Sequence, residues 1–273
     1  MSEPDPAWFE REYNTRLAIP DAAALCAAWP ERAAATRRRH AGILDIRYGE
    51  HPREVFDLFR AEEPRGTVLF IHGGYWRAFS KDDFSWVAED FLAHRVSVAV
   101  LNYPLCPDVR LGRIVEATRA AFVHLHRSVL STAERRRIVV TGHSAGGYLA
   151  ALHLATDWTA FGLPDDPVVG VLPISGVFDL APLIRTSMNE ALRLDAAEAE
   201  TLDLSRAPLR SRARLAFALG GDESAEFHRQ SAQMARRWRA STLLDVEGRH
   251  HLDVIDGLAE PGSTINRLIL DWI

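Results

Sequence analysis

Residues 138–147 read IVVTGHSAGG, and YLAALHLA follows at 148–155. The first half is an apolar, β-branched run, the pattern of a strand buried on both faces. The second half is a run of good helix formers. Between them Ser144 sits inside the spacing G-x-S-x-G, with Gly142 and Gly146 two residues to either side. Residues at those two positions must lack side chains if a strand and a helix are to meet around a sharp turn. Such a turn places the serine hydroxyl at a helix N-terminus, where free N–H groups and the positive dipole end face it. The competing reading is a Gly-rich turn with a capping serine. A strand before and a helix after favour a nucleophile. Serine is a poor nucleophile alone, so the rest of the chain must supply a base, an acid and an oxyanion site.

Working outward, two strand-like pieces, ILDIRYG (43–49) and EVFDLFRA (54–61), flank a short turn and predict an antiparallel edge. Six apolar runs follow: GTVLFIHGG, VSVAVLNYP, RRIVVTGHS, PVVGVLPISG, RLAFALGGD and STLLDVEG. They read as strands buried on both faces, as in a parallel sheet. Segments with helical spacing separate several of them: DDFSWVAEDFLAHR, RIVEATRAAFVHLHRSVL, AGGYLAALHLAT, SAEFHRQSAQMARRWRA and STINRLILDWI. Alternation of strand and helix predicts an α/β domain, a mostly parallel sheet covered by helices on both faces. Residues 1–40 form an Ala-rich helical segment interrupted at Pro30. Residues 178–208 are too long for an ordinary crossover and predict a small helical cap over the strand ends. The whole, 1–273, reads as one domain.

Composition narrows the function class. Of 273 residues 47% are hydrophobic, enough for a full core, and the net charge of −5 argues against a polyanionic partner. Arginine clusters such as TRRRH, ERRRI and ARRWR read as solvated helix faces. Cys26 and Cys106 lie far apart in sequence, which fits a reducing compartment. The acidic start lacks the basic and apolar regions of a signal peptide, and no apolar run reaches the length of a membrane span. The expectation is a cytoplasmic protein acting on a small molecule, without nucleic acid or membrane, with a homodimer left open.

Ligands of open α/β sheets bind at the carboxyl ends of the strands, so catalytic groups should fall just after strands. FIHGGYW (70–76) does. Its glycines let backbone N–H groups face a site without Cβ obstruction, and Gly73, Gly74 and the N–H of Ala145 form the expected oxyanion hole. His72 reads as a brace for that loop. The base should follow the last strand, where His250 and His251 stand side by side. The acid should follow the strand before, where Asp222, Glu223 and Glu226 are all candidates. Spacing alone separates neither set.

HGGYW, LNYPLCP, GHSAGG, SGVFDLAPL, ESAEFHRQS and HHLDVI together resemble the kynurenine formamidase (arylformamidase) group of α/β-hydrolases, itself similar to the hormone-sensitive-lipase-like esterases. The resemblance runs from about residue 40 onward and leaves the N-terminal helical part uncovered. It implies the α/β-hydrolase fold, no cofactor and no metal. It implies Glu223 as the acid, where many members carry Asp, and His251 as the base. It places Tyr75 and Trp76 beside the site, where they could pack against an aromatic substrate, with core packing the alternative for Trp76; Phe178 and Asp179 open the cap segment and are expected to line the pocket. The implied reaction converts N-formyl-L-kynurenine to formate and kynurenine. A general carboxylesterase uses the same triad with another pocket, and a non-catalytic binding protein of this fold is the rival of a different class. A metallohydrolase lacks support, because HLH (124–126) lies within a helix and no H-E-x-x-H is present.

Overall fold

The computed structural model describes residues 5–273. Eight strands form one sheet: β1 (Gly42–Arg47), β2 (Val55–Phe59), β3 (Gly66–Ile71), β4 (Val96–Leu101), β5 (Ile138–His143), β6 (Gly170–Ile174), β7 (Arg214–Gly220) and β8 (Thr242–Val246). Their order across the sheet is β1-β2-β4-β3-β5-β6-β7-β8. β2 pairs antiparallel with both neighbours, and every pairing from β4 to β8 is parallel. All eight segments expected as strands are strands, and the antiparallel edge is where the short turn puts it.

Alternate residues explain why both faces need cover. On β3, Leu69 and Ile71 point into one core and Val68 and Phe70 into the other. The six later runs are not all equivalent, however. β8 is an edge strand whose residues alternate between half-buried and exposed, with Leu243 39% exposed. It has a neighbour on one side only, so it never acquires the double cover of the central strands.

The helices divide between the faces. In chain order they are α1 (Pro6–Tyr13), α2 (Thr15–Ala18), α3 (Ala22–Arg39), α4 (Glu89–Ala93), α5 (Leu111–His124), α6 (Thr132–Arg135), α7 (Ala145–Ala155), α8 (Asn189–Leu192), α9 (Ala196–Thr201), α10 (Ala225–Arg237) and α11 (Thr264–Trp272). Residues of α1, α5, α7 and α10 join the core on one face; those of α3, α4 and α11 join the core on the other. α7 is buried on every side, as a helix wedged against the central strands must be.

Two expectations about helices need correction. α3 runs unbroken through Pro30. Pro30 removes one donor, yet the buried Trp29 and Ala33 around it anchor the helix to the core. DDFSWVAEDFLAHR is not one helix but two 3-10 turns, Lys81–Asp83 and Ser85–Ala88, leading into the short α4. Phe84, Ser85, Trp86, Val87 and Ala88 are all buried in succession, a demand that an α-helix with one wet face cannot meet. Of the expected N-terminal segment, residues 1–4 lie outside the described residues. The stretch 178–208 holds a 3-10 turn at Ala181–Arg185 together with α8 and α9, and Arg110 tethers α9 through Glu198 at 2.6 Å.

Candidate active site

Strand β5 ends at His143 and α7 begins at Ala145, which leaves Ser144 alone on the turn. Its backbone lies at φ 56° and ψ −120°, a conformation costly for a residue with a side chain. The glycines around it are required by contact. A Cβ on Gly146 would lie 2.0 Å from the Ile71 carbonyl oxygen, and one on Gly142 would lie 2.2 Å from that of Gly146. The N–H of Ser144 donates to the Ile174 carbonyl at 2.8 Å, fixing the turn to the next strand. Ala145 opens α7 directly after the serine, where the first N–H groups have no intrahelical acceptor.

Glu223 and His251 reach this point from the ends of β7 and β8. His251 Nδ1 lies 2.7 Å from Glu223 Oε2, with both side chains buried. The other carboxylate oxygen, Oε1, accepts from the Ser175 hydroxyl at 2.5 Å and from the Gly220 N–H at 2.7 Å. Burial alone would raise the Glu223 pKa, but the His251 ring, the Ser175 hydroxyl and the Gly220 N–H together hold it below the usual value. An ionised carboxylate only accepts hydrogen bonds, so the proton of this contact sits on His251 Nδ1. In the neutral ring Nε2 is then left as the basic nitrogen.

His143, within the Ser144 turn, holds the same histidine from behind. Its Nε2 is 2.7 Å from the His251 carbonyl oxygen, which can only accept, so Nε2 carries the proton. Burial lowers the His143 pKa to about 3, and the ring stays neutral. His251 also packs against the Phe227 ring at 4.6 Å between centres.

The other candidates for base and acid do different work. His250 Nδ1 accepts from the Leu252 and Asp253 N–H groups at 3.1 and 3.3 Å and so shapes the turn. Asp222 is exposed, and its backbone N–H bonds the Arg249 carbonyl. Glu226 lies on α10 and pairs with Arg229 and the Tyr13 hydroxyl.

The His-Gly-Gly loop forms the opposite wall. His72 is fully buried, lies flat against Tyr103 with ring centres 4.3 Å apart, and donates from Nδ1 to the Gly73 carbonyl at 2.8 Å. Burial takes its pKa down to about 3, so it serves as a neutral brace. Gly74 has φ 106°, and Tyr75, Trp76 and Phe79 all have positive φ as well. So much left-handed backbone in bulky residues marks a loop held under strain. Arg53 holds its far end, donating to the Phe79 and Tyr103 carbonyls at 2.6 and 2.9 Å.

Gly73, Gly74, Tyr75, Ser144 and His251 line one cleft of about 120 Å³. Trp76 does not reach it: the ring is fully buried, edge-on to Tyr148. Phe178 is likewise buried away from it, and Asp179 is not in its wall. The aromatic wall comes instead from Trp29, Phe79 and Phe84, with Met188 from the 178–208 stretch opposite. Asn14, Thr15 and Arg16 complete the rim.

These last residues belong to the N-terminal helical segment, to which the sequence reading gives no role at the site. It is strapped to three parts of the site. The Tyr75 hydroxyl donates to the Tyr13 carbonyl, and the Ser224 hydroxyl donates to the Glu12 carbonyl at 2.6 Å. The Tyr13 hydroxyl donates to Glu226 Oε2 at 2.5 Å, and Ser187 of the 178–208 stretch donates to Glu10. No local pattern announces such contacts, because the partners lie 62 to 213 residues apart in sequence. Ser175 was equally silent, a single serine after a strand. No group of three or more His, Cys, Asp or Glu side chains among the described residues is arranged to hold a metal ion.

The sequence pattern of the alpha/beta hydrolase fold matches residues 68–241, more than half of the chain. The chain belongs to the alpha/beta hydrolase fold family. This hydrolase is 27% identical to the kynurenine formamidase of Danio rerio over 251 residues, 85% of this chain and 82% of that one. It is 24% identical to the kynurenine formamidase of Drosophila melanogaster over 253 residues, 86% of this chain and 82% of that one. Among solved structures, a protein from Silicibacter described as a candidate thioesterase superposes with a TM-score of 0.86. That protein is 35% identical, and the match covers 94% of this chain and 97% of that one. Esterase B of Lactobacillus rhamnosis, solved with a phosphonate inhibitor, has a TM-score of 0.69 at 19% identity over 92% and 94% of the two chains, a likeness of fold.

Proposed function

We propose that this hydrolase removes a small acyl group from an aryl amide, with N-formyl-L-kynurenine as substrate and formate and kynurenine as products. The observation that carries the reading is the cleft itself: about 120 Å³, floored by Ser144 and His251 and walled by Trp29, Phe79 and Phe84. A cavity of roughly 150 Å³ takes one benzene ring, so there is room for an aryl group and little beyond a formyl. The kynurenine formamidase relatives, matched over most of the chain, support the same substrate.

In this reading Ser144 attacks the formyl carbon while His251 Nε2 takes its proton. Glu223 keeps the ring in the required tautomer and stabilises the imidazolium. The N–H groups of Gly73, Gly74 and Ala145 hold the oxyanion. His251 then protonates the leaving amine, and water releases formate from the acyl-enzyme. The free cysteines Cys26 and Cys106 fit a cytoplasmic setting.

The 35% identical Silicibacter structure favours a second reading, thioester hydrolysis by the same residues. One assay separates them. Purified enzyme is given N-formyl-L-kynurenine, p-nitrophenyl acetate and acetyl-coenzyme A, with Ser144→Ala as control. The formamidase reading requires the highest kcat/KM on the first and its loss in the variant. A preference for the thioester or for the neutral ester overturns it.

A further inference from the structure

The rim of the catalytic cleft carries two charged side chains, Arg16 and Arg77, and no Asp or Glu. This is unexpected in a chain of net charge −5. Both arginines are exposed. Among the described residues neither guanidinium makes a hydrogen bond or an ion pair. Other arginines of the chain are engaged: Arg53 holds three acceptors, Arg110 pairs with Glu198, and Arg229 pairs with Glu226. Arg16 rests over the Phe79 ring at 5.5 Å, which keeps it against the cleft wall. The two come from different parts of the chain. Arg77 belongs to the strained loop after the His-Gly-Gly turn. Arg16 lies in α2, on the segment strapped across the site.

From these observations we infer that Arg16 and Arg77 form a recognition site for a carboxylate on the substrate, remote from the bond that Ser144 cleaves. An open guanidinium is suited to a carboxylate, which it can engage through two parallel N–H bonds. The preferred substrate is then an aryl acyl compound with an anionic side chain, and neutral esters of equal size are poorer. The inference rests on the cleft being the substrate site. It deepens the proposed function, since N-formyl-L-kynurenine bears a carboxylate on the side chain of its ring.

The test uses two matched pairs. One is N-formyl-L-kynurenine and its carboxamide; the other is p-nitrophenyl hemisuccinate and p-nitrophenyl butyrate. The quantity read is the ratio of kcat/KM for the charged member over the neutral one. In the wild-type enzyme it exceeds one. In Arg16→Gln and in Arg77→Gln it falls by about tenfold, mainly through KM, and falls further in the double variant. Arg77→Glu reverses the preference, and Arg77→Lys restores part of it. A wild-type ratio of one in the pairs turned over, or a ratio unchanged in the double variant, overturns the inference. If only the esters are turned over and the ratio responds to the arginines, the carboxylate site stands and the formamide reading fails. If the formamide is turned over with an unresponsive ratio, the reverse holds. Turnover of neither pair overturns both.

Discussion

Ser175 donates its hydroxyl to Glu223 Oε1, the carboxylate oxygen that His251 does not use. Glu223 is therefore gripped at both ends, and in the proposed mechanism Ser175 is a positioning residue for the acid. Ser175→Ala should lower kcat by about tenfold, the worth of a hydrogen bond to a buried charge. A pH effect accompanies it. The folded-state pKa of Glu223 lies below its usual 4.5, so its contribution to stability is complete above that value. The contribution is lost as pH falls through the depressed value. Removing Ser175 takes away one of the lowering contacts, so acid unfolding should begin at higher pH in the variant. Urea midpoints measured across the acid range in both proteins check this; identical profiles would refute it.

The length of the acid matters. Glu223→Asp withdraws the carboxylate by one methylene, so it cannot span Ser175, Gly220 and His251 together. We expect a loss of about 10²-fold in kcat with the fold intact. Glu223→Gln keeps the shape but loses the charge and permits the wrong ring tautomer, and should cost about 10³–10⁴. Asp222→Asn should leave kcat close to that of wild type. Steady-state rates of the three variants decide it, and a dead Asp222→Asn would reassign the acid.

Gly146 is fixed by steric contact. Gly146→Ala puts a methyl against the Ile71 carbonyl, and backbone on both sides has nowhere to go. The expected cost is about 3 kcal/mol of stability, read from urea denaturation, together with lost turnover as Ser144 shifts. An unchanged midpoint would mean that strand and helix can separate freely.

Tyr13 ties the N-terminal segment to α10, donating to Glu226 and accepting from Gln230 at 3.0 Å. Tyr13→Phe leaves those buried groups without it, at about 1–3 kcal/mol. Loosening this wall of the cleft should raise KM more than it lowers kcat. An equal fall in kcat with constant KM would argue that the segment acts on Ser144 or His251 instead.

How far the sequence revealed this arrangement depended on the range of the cause. The strands were legible because continuous apolar runs have few other uses, and strand ends then located Ser144, the acid loop and the histidine pair. Choosing Glu223 over Asp222 needed family resemblance, since adjacent carboxylates differ only in which way the turn points them. The family resemblance places Trp76 beside the substrate, with core packing as its alternative. The left-handed backbone at Tyr75 and Trp76 instead turns the second ring into the core. Pro30 reads as an interruption of the helix because local propensity ignores the anchoring of Trp29. Arg16, Tyr13 and Ser175 carry no local signal at all, because their roles exist only once distant segments meet.

These contacts between distant segments bear on how the enzyme comes into being on the ribosome. Tyr13 is made well before its hydrogen-bond partners Glu226 and Gln230, which come 213 and 217 positions later. His251 is synthesised later still. Until those partners emerge, the nascent chain carries Tyr13 without the groups that dock it. Ser144, Glu223 and His251 can therefore be brought together only once residue 251 has been added. A chain that stops before residue 225 would hold the serine turn without Glu226, Gln230 or His251, and so without the contacts that dock Tyr13 and orient the ring.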